Sequence, residues 1–222
     1  MELSKDTLIK CQIGLADFKV LEQKPDPRIL STHLPYRYLP WRHKENKNKI
    51  VLTLRNPKDR EVSLYHYLNG KDPRWDESYS WEDHFHDMAM GRRRDLPGVF
   101  GDWFSYVRDW ELHVNNNPNI HVVYYEKLKK NFVEEISKLA KFLQCEKDDS
   151  FYKDAEQVCS FDNMKQNKED DSVSFDKHGS PKLFKTGQIG TWKKYFTKEQ
   201  KVEFDLLYKI EMGESNLKFI YE

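Results

Sequence analysis

The run Lys49–Gly70, KIVLTLRNPKDREVSLYHYLNG, constrains the fold more than any other stretch of this chain. Ile50–Leu54 is continuous, apolar and rich in β-branched residues, as expected of a central strand in a parallel sheet. It meets Asn56-Pro57 almost at once. Asparagine is a strong helix N-cap, proline suits the first helical position, and Asp59 stands where a capping-box acid reaches back. Gly70 is placed to close the helix. A strand that turns within two residues into a helix is half of a βαβ unit. The predicted fold class is therefore α/β, with a central, mostly parallel sheet flanked by helices.

The rest of the chain alternates in the same way. Arg28–His33 (RILSTH) reads as a short buried strand with a polar end, and Asn119–Tyr125 (NIHVVYY) as a second strong strand. Helices are predicted over Ser80–Met90, Asp102–Asn115, Phe132–Leu143 and Glu199–Met212. In the third of these, Phe132, Ile136, Leu139, Ala140 and Leu143 make one apolar stripe. Lys165–Lys182 is polar, acidic at Glu169, Asp170 and Asp171, and reads as a surface excursion. With no internal repeat, one domain over residues 1–222 is expected.

Composition excludes several classes of function. Lysine plus arginine, at 37, equals aspartate plus glutamate, at 37, so a nucleic-acid partner is not expected. Cys11, Cys145 and Cys159 are odd in number and lack ligand-like spacing, which favours a reducing, cytoplasmic setting. No apolar run is long enough for a membrane span, and the first residues do not resemble a secretory signal. His84 and His86 have no third ligand nearby in sequence, so no metal is expected. Neither GxGxxG nor GxxxxGK[ST] occurs.

Four places could carry chemistry. Arg55 lies in the corner between strand and helix, where open parallel sheets bind ligands and a helix start offers free N–H groups to an anion. The plain alternative is a surface arginine paired with an acid. Ser63, two turns along the helix, shares a face with Asp59 and Tyr67; it could meet the same anion or be a helix-surface serine. His33 stands at another strand edge, suited to a general base or to a structural histidine. Leu183–Thr197 interleaves Gly187 and Gly190 with Lys185, Lys193 and Lys194, a phosphate cradle or a solvated turn.

Four segments in order, PRILSTHLP (Pro27–Pro35), IVLTLRNPKDREVSLYHY (Ile50–Tyr67), VVYYEKLKKN (Val122–Asn131) and FKTGQIGTWKKYFT (Phe184–Thr197), resemble the cytosolic sulfotransferases. Those enzymes move a sulfuryl group from 3′-phosphoadenosine 5′-phosphosulfate (PAPS) to a hydroxyl or amine. The resemblance implies a P-loop-hydrolase-like sulfotransferase fold and PAPS as co-substrate. It implies a small acceptor such as a phenol, steroid or other alcohol, with a homodimer possible. It makes His33 the catalytic base and Arg55 and Ser63 the partners of the 3′-phosphate. Tyr125 and Phe161 fall about the adenine, and Cys159 stands where the family usually has a hydroxyl residue. Lys185, Thr186 and Gly187 form the closing phosphate loop.

The sequence departs from that family in five places. Nothing before Arg28 resembles the family's YPKSGTTW loop, so the chain is expected to be the carboxyl-terminal three quarters of such an enzyme, without the first strand–loop–helix. Weak or no nucleotide binding by these 222 residues follows. Ser31 replaces a lysine of several relatives, KTG at Lys185–Gly187 replaces RKG, and GTW at Gly190–Trp192 replaces GDW. Of the family's dimer motif only Lys193 and Thr197 are kept. The alternative reading is a degenerate, non-catalytic protein of the same fold.

Overall fold

Two parallel strand pairs carry the β structure of the computed structural model, which describes residues 8–9, 29–39, 48–68, 79–92, 102–168 and 187–222. Strand β1 (Leu8–Ile9) pairs with β2 (Ile29–Leu30), and β3 (Ile50–Leu54) pairs with β4 (Ile120–Tyr124). The second register sets Ile50 against Ile120 and Leu54 against Tyr124, so β3 and β4 end level.

Two expectations about the strands change. Along β3, Leu52 and Leu54 are buried while Val51 and Thr53 are exposed, so the apolar run is covered on one face, not two. Within the predicted buried strand at Arg28–His33, β2 covers Ile29–Leu30, exposed at 46% and 57%, and ends before Ser31, while Arg28 lies outside the described residues. Beyond it the Thr32 hydroxyl accepts from the Leu34 N–H at 3.1 Å, a local bond that competes with ladder pairing. Pro35 then has no N–H to offer a ladder, and a 3₁₀ turn follows at Tyr36–Tyr38.

The five helices predicted from the sequence are present, and three more, at Tyr125–Lys130, Asp149–Val158 and Phe161–Lys168, have no counterpart among the predicted ones. In chain order the helices are α1 (Pro57–Leu68), α2 (Trp81–His84), α3 (Trp103–Val114), α4 (Tyr125–Lys130), α5 (Phe132–Leu143), α6 (Asp149–Val158), α7 (Phe161–Lys168) and α8 (Lys198–Met212). Helix α2 runs on through a π-helical turn at Phe85–Ala89, and a 3₁₀ turn at Thr191–Lys194 precedes α8. Ser80 with Asp83 and Thr197 with Gln200 form capping boxes, and Asp102 caps α3 through the Ser105 N–H at 2.8 Å. Lys165–Lys168, expected in a surface excursion, belong to α7, while 169–182 and Gly70 lie outside the described residues.

One hydrophobic cluster draws on residues from Tyr36 to Leu217. Trp103, Phe104, Val107 and Trp110 of α3 meet Phe204 and Met212 of α8, Phe85 of the π turn, and Leu52 and Leu54 of β3. Each fully buried side chain of this size contributes about 2 kcal/mol by its removal from water. Helices α3 and α5 both pack on β4, which gives the helix-flanked parallel sheet of an α/β protein. Among the described residues no helix is long and apolar enough to cross a membrane.

Candidate active site

Because β3 and β4 end level, the first residue beyond each is delivered to the same edge. These residues are Arg55 and Tyr125. The guanidinium carbon lies 4.4 Å from the Tyr125 ring centre, a cation–π contact that orients the arginine. Burial pushes the Tyr125 phenol up while the Arg55 charge pulls against it, and burial prevails. Arg55 Nη2 donates to the Gln188 carbonyl at 3.2 Å. Its Nε is buried and meets no acceptor among the described residues.

One position further on, Asn56 and Glu126 meet, and both are fully buried. The Asn56 N–H donates to Glu126 Oε1 at 2.8 Å, and Asn56 Nδ2 donates to the same oxygen at 3.0 Å. Asn56 Oδ1 accepts from the Asp59 N–H at 2.8 Å, which is the predicted N-cap of α1.

Asp59 does not complete the predicted capping box, since Glu126 already takes the Asn56 N–H. Its fully buried carboxylate accepts instead from Asn56 Nδ2 at 3.0 Å and from the Gly190 N–H at 2.8 Å. It also accepts from the Thr191 hydroxyl at 2.8 Å and the Trp192 N–H at 2.9 Å. Sequence reasoning missed this anchor. The available signal was the second acid, Glu126: two acids at one edge cannot share a single backbone donor, so one is free for another task. Lys58, beside it, is already committed; its buried ammonium pairs with Asp205 and lies 4.4 Å from the Trp192 ring centre.

Gly187 adopts φ +60°, a left-handed conformation that favours glycine. A Cβ there would lie 2.4 Å from Phe161 Cδ2, so the loop backbone rests against the phenyl ring at the start of α7. Lys185 and Thr186 lie outside the described residues.

The structure thus gathers Arg55, Tyr125, Phe161 and the Gly187–Gln188 backbone around contacts between neighbours. It leaves Ser63 exposed on α1, Cys159 exposed at the end of α6, and His33 exposed beyond β2. Among the described residues no hydrogen bond or ring contact links these three to the others. His84 is buried and bonded to Glu61 Oε2 at 3.2 Å, whereas His86 faces Glu82 Oε1 at 2.9 Å, so the two imidazoles serve separate partners.

Comparison with known proteins agrees with this architecture. Residues 11–216 match the sulfotransferase domain. The chain is 32% identical to sulfotransferase 1B1 of Mus musculus over 213 residues, covering 93% of this chain and 68% of that protein. It is 31% identical to the amine sulfotransferase of Oryctolagus cuniculus over 209 residues, covering 91% and 67%. Against the crystal structure of mouse sulfotransferase SULT7A1 complexed with PAP, the TM-score is 0.81 at 31% identity, covering 96% of this chain and 77% of that one. Retinol dehydratase in complex with androsterone and PAP shares the fold, with a TM-score of 0.75 at 21% identity over 90% of this chain and 58% of that one.

An α/β chain with an anion-suited arginine at the edge of its parallel strands is thereby placed: it belongs to the sulfotransferase family. It spans 68% of the length of mouse and 66% of dog sulfotransferase 1B1, and 57% of human sulfotransferase 6B1.

Proposed function

We propose that this chain, as one sulfotransferase domain over residues 1–222, serves transfer of a sulfuryl group from PAPS to a hydroxyl or amine of a small acceptor. The observation that supports it most is the shared edge of β3 and β4. There a guanidinium with an unpaired buried Nε–H sits on Tyr125, and the glycine loop folds back to meet it. An anionic nucleotide fits that chemistry, since Arg55 supplies fixed charge and α1 starts beside it. Phe161 offers a flat apolar face where a base could stack, and Gly187 admits a close backbone approach that any Cβ would block.

PAPS supplies the sulfuryl group. The acceptor oxygen or nitrogen forms the new bond to sulfur as the bond from sulfur to the phosphate oxygen breaks, leaving 3′-phosphoadenosine 5′-phosphate. In this reading neutral His33 takes the acceptor's proton, for which its exposure leaves a lone pair accessible. Arg55, with Ser63, holds the 3′-phosphate away from the reacting atoms and so positions the donor. Tyr125, Phe161 and Cys159 surround the adenine, and Lys185–Gly187 close over the phosphates. The acceptor is a small alcohol, phenol or steroid. A homodimer would draw on the two residues of the dimer motif that are kept, Lys193, which pairs with Glu222 at 2.9 Å, and Thr197, which caps α8.

Calorimetric titration with 3′-phosphoadenosine 5′-phosphate tests the reading. Saturable binding, weak in these 222 residues, is expected, and Arg55→Ala should abolish it. Where labelled PAPS is turned over with a phenol or steroid acceptor, His33→Ala should remove turnover and leave nucleotide affinity unchanged. Turnover that survives His33→Ala, or binding indifferent to Arg55, overturns the assignment.

A further inference from the structure

We infer that Asp59 is a positioning residue of the proposed nucleotide site, latching the Gly190–Trp192 turn to the first turn of α1. The neighbouring Gly187–Gln188 backbone is thereby fixed against Phe161 and Arg55. The inference rests on the reading above and extends it to a residue that touches neither nucleotide nor acceptor.

Four donors and no acceptor converge on this fully buried side chain: Asn56 Nδ2, the Gly190 N–H, the Thr191 hydroxyl and the Trp192 N–H, at 2.8–3.0 Å. That set suits a carboxylate. In an asparagine of the same shape, one oxygen becomes an NH₂. Turned one way, it faces Asn56 Nδ2 and the Gly190 N–H; turned the other way, it faces the Trp192 N–H. Either orientation leaves a backbone donor, part-buried at Gly190 or buried at Trp192, opposite another donor. Asp59 is also the third residue of α1, where the positive end of the helix favours negative charge.

The latch has a definite geometrical consequence. Gly187 and Gly190 both take positive φ, +60° and +80°, so the segment between them has conformations open to it that other residues would not allow. At its start the Arg55–Gln188 bond holds it, and at its end the Asp59 carboxylate does. Arg55 and Asp59 are four residues apart and flank the strand-to-helix corner. The corner that would receive the nucleotide therefore also sets the loop that would close over it. Thr191, which departs from the family's usual aspartate, contributes a hydroxyl donor to the same carboxylate.

The test uses the whole 222-residue chain and the variants Asp59→Asn, Thr191→Val and Thr191→Ser. Amide exchange at Gly190 and Trp192 is read against Leu52–Leu54 in β3, and nucleotide affinity by titration with 3′-phosphoadenosine 5′-phosphate. Asp59→Asn should speed exchange at Gly190 and Trp192 about tenfold beyond any change in β3. It should also weaken nucleotide binding about fivefold or more, the loss expected when a site's supporting hydrogen bonds go. Thr191→Val should do the same to a smaller extent, and Thr191→Ser, which keeps the hydroxyl, should match the parent in both. If Asp59→Asn does not fold, the Thr191 pair decides. Equal acceleration in the turn and in β3 would mean a purely structural residue and overturns the latch. A loosened turn with unchanged affinity overturns the positioning role. A parent chain that binds no nucleotide sinks the reading above instead, and the exchange contrast alone then decides the latch.

Discussion

Arg55 and Tyr125 stand one residue beyond the level ends of two parallel strands, with the guanidinium carbon 4.4 Å from the phenol ring centre. The relationship constrains which cation can serve there. A lysine would keep the charge but lose the planar fork that bonds Gln188 and stacks on the ring. Arg55→Lys should therefore weaken 3′-phosphoadenosine 5′-phosphate binding about tenfold, which corresponds to about 1.4 kcal/mol. The melting temperature should move little, because the contact is half-exposed. Titration calorimetry beside a thermal melt separates the two effects.

Gly187→Ala should destabilise the chain through two separable causes. Positive φ costs an alanine about 1 kcal/mol. The new Cβ would also stand 2.4 Å from Phe161 Cδ2, which forces the ring or the loop to move. Phe161→Ala removes the second cause and leaves the first. Gly187→Ala should therefore cost about 1 kcal/mol less in the Phe161→Ala background than alone, a non-additivity typical of touching residues. Urea unfolding of the four proteins gives the coupling; strict additivity would mean the ring does not rest on the glycine.

Where local chemistry decides, the sequence could be read to the residue. The start of α1 follows from Asn56 and Pro57, and the limits of α5 follow from its apolar stripe. What was not readable depended on distant partners. The strand predicted to run on to His33 stops at Leu30 because the Thr32 turn competes with ladder pairing, which its composition did not reveal. Asp59 looked like a capping acid because three of its four partners lie 131 to 133 residues away. The edge of β3 and β4 needed one further fact, their parallel register, before Arg55 could be seen to meet Tyr125. The contact of Phe161 with Gly187 followed from no local signal at all.

Acid should weaken the Lys58–Asp205 pair in a predictable window. Burial raises the Asp205 carboxyl, but hydrogen bonds and charge from Lys58 and Lys201 more than reverse it, so its folded value lies below the ordinary one. A depressed carboxyl contributes stability that is whole above its unfolded pKa, about 3.9, and is lost as the pH falls through the folded value. Asp205→Asn should therefore cost about 1 kcal/mol at neutral pH, a modest figure because the carboxylate is half-exposed. The gap between variant and parent should close on acidification below about pH 3.9. Denaturant melts across pH would measure it. A gap independent of pH would show that the pair's charge contributes nothing.

Asn56 carries two jobs that two substitutions can separate. Its Oδ1 caps α1 through the Asp59 N–H, and its Nδ2 lies 3.0 Å from both Glu126 Oε1 and Asp59 Oδ2 and 3.2 Å from the Ile220 carbonyl. Alanine removes both. Loss of the cap costs about 1 kcal/mol. Leaving buried acceptors short of a donor costs about 1–3 kcal/mol more. Serine can still accept from the Asp59 N–H, so it retains the cap, but it is too short to reach Glu126. Asn56→Ala should thus lose about 2–4 kcal/mol by chemical denaturation, with Asn56→Ser recovering about 1 kcal/mol of it. If serine recovered nearly everything, the cap alone would matter and the buried Asn56–Glu126 bond would contribute nothing net. If it recovered nothing, the stability of this corner would reside in the bond across the two strand ends rather than in the helix start.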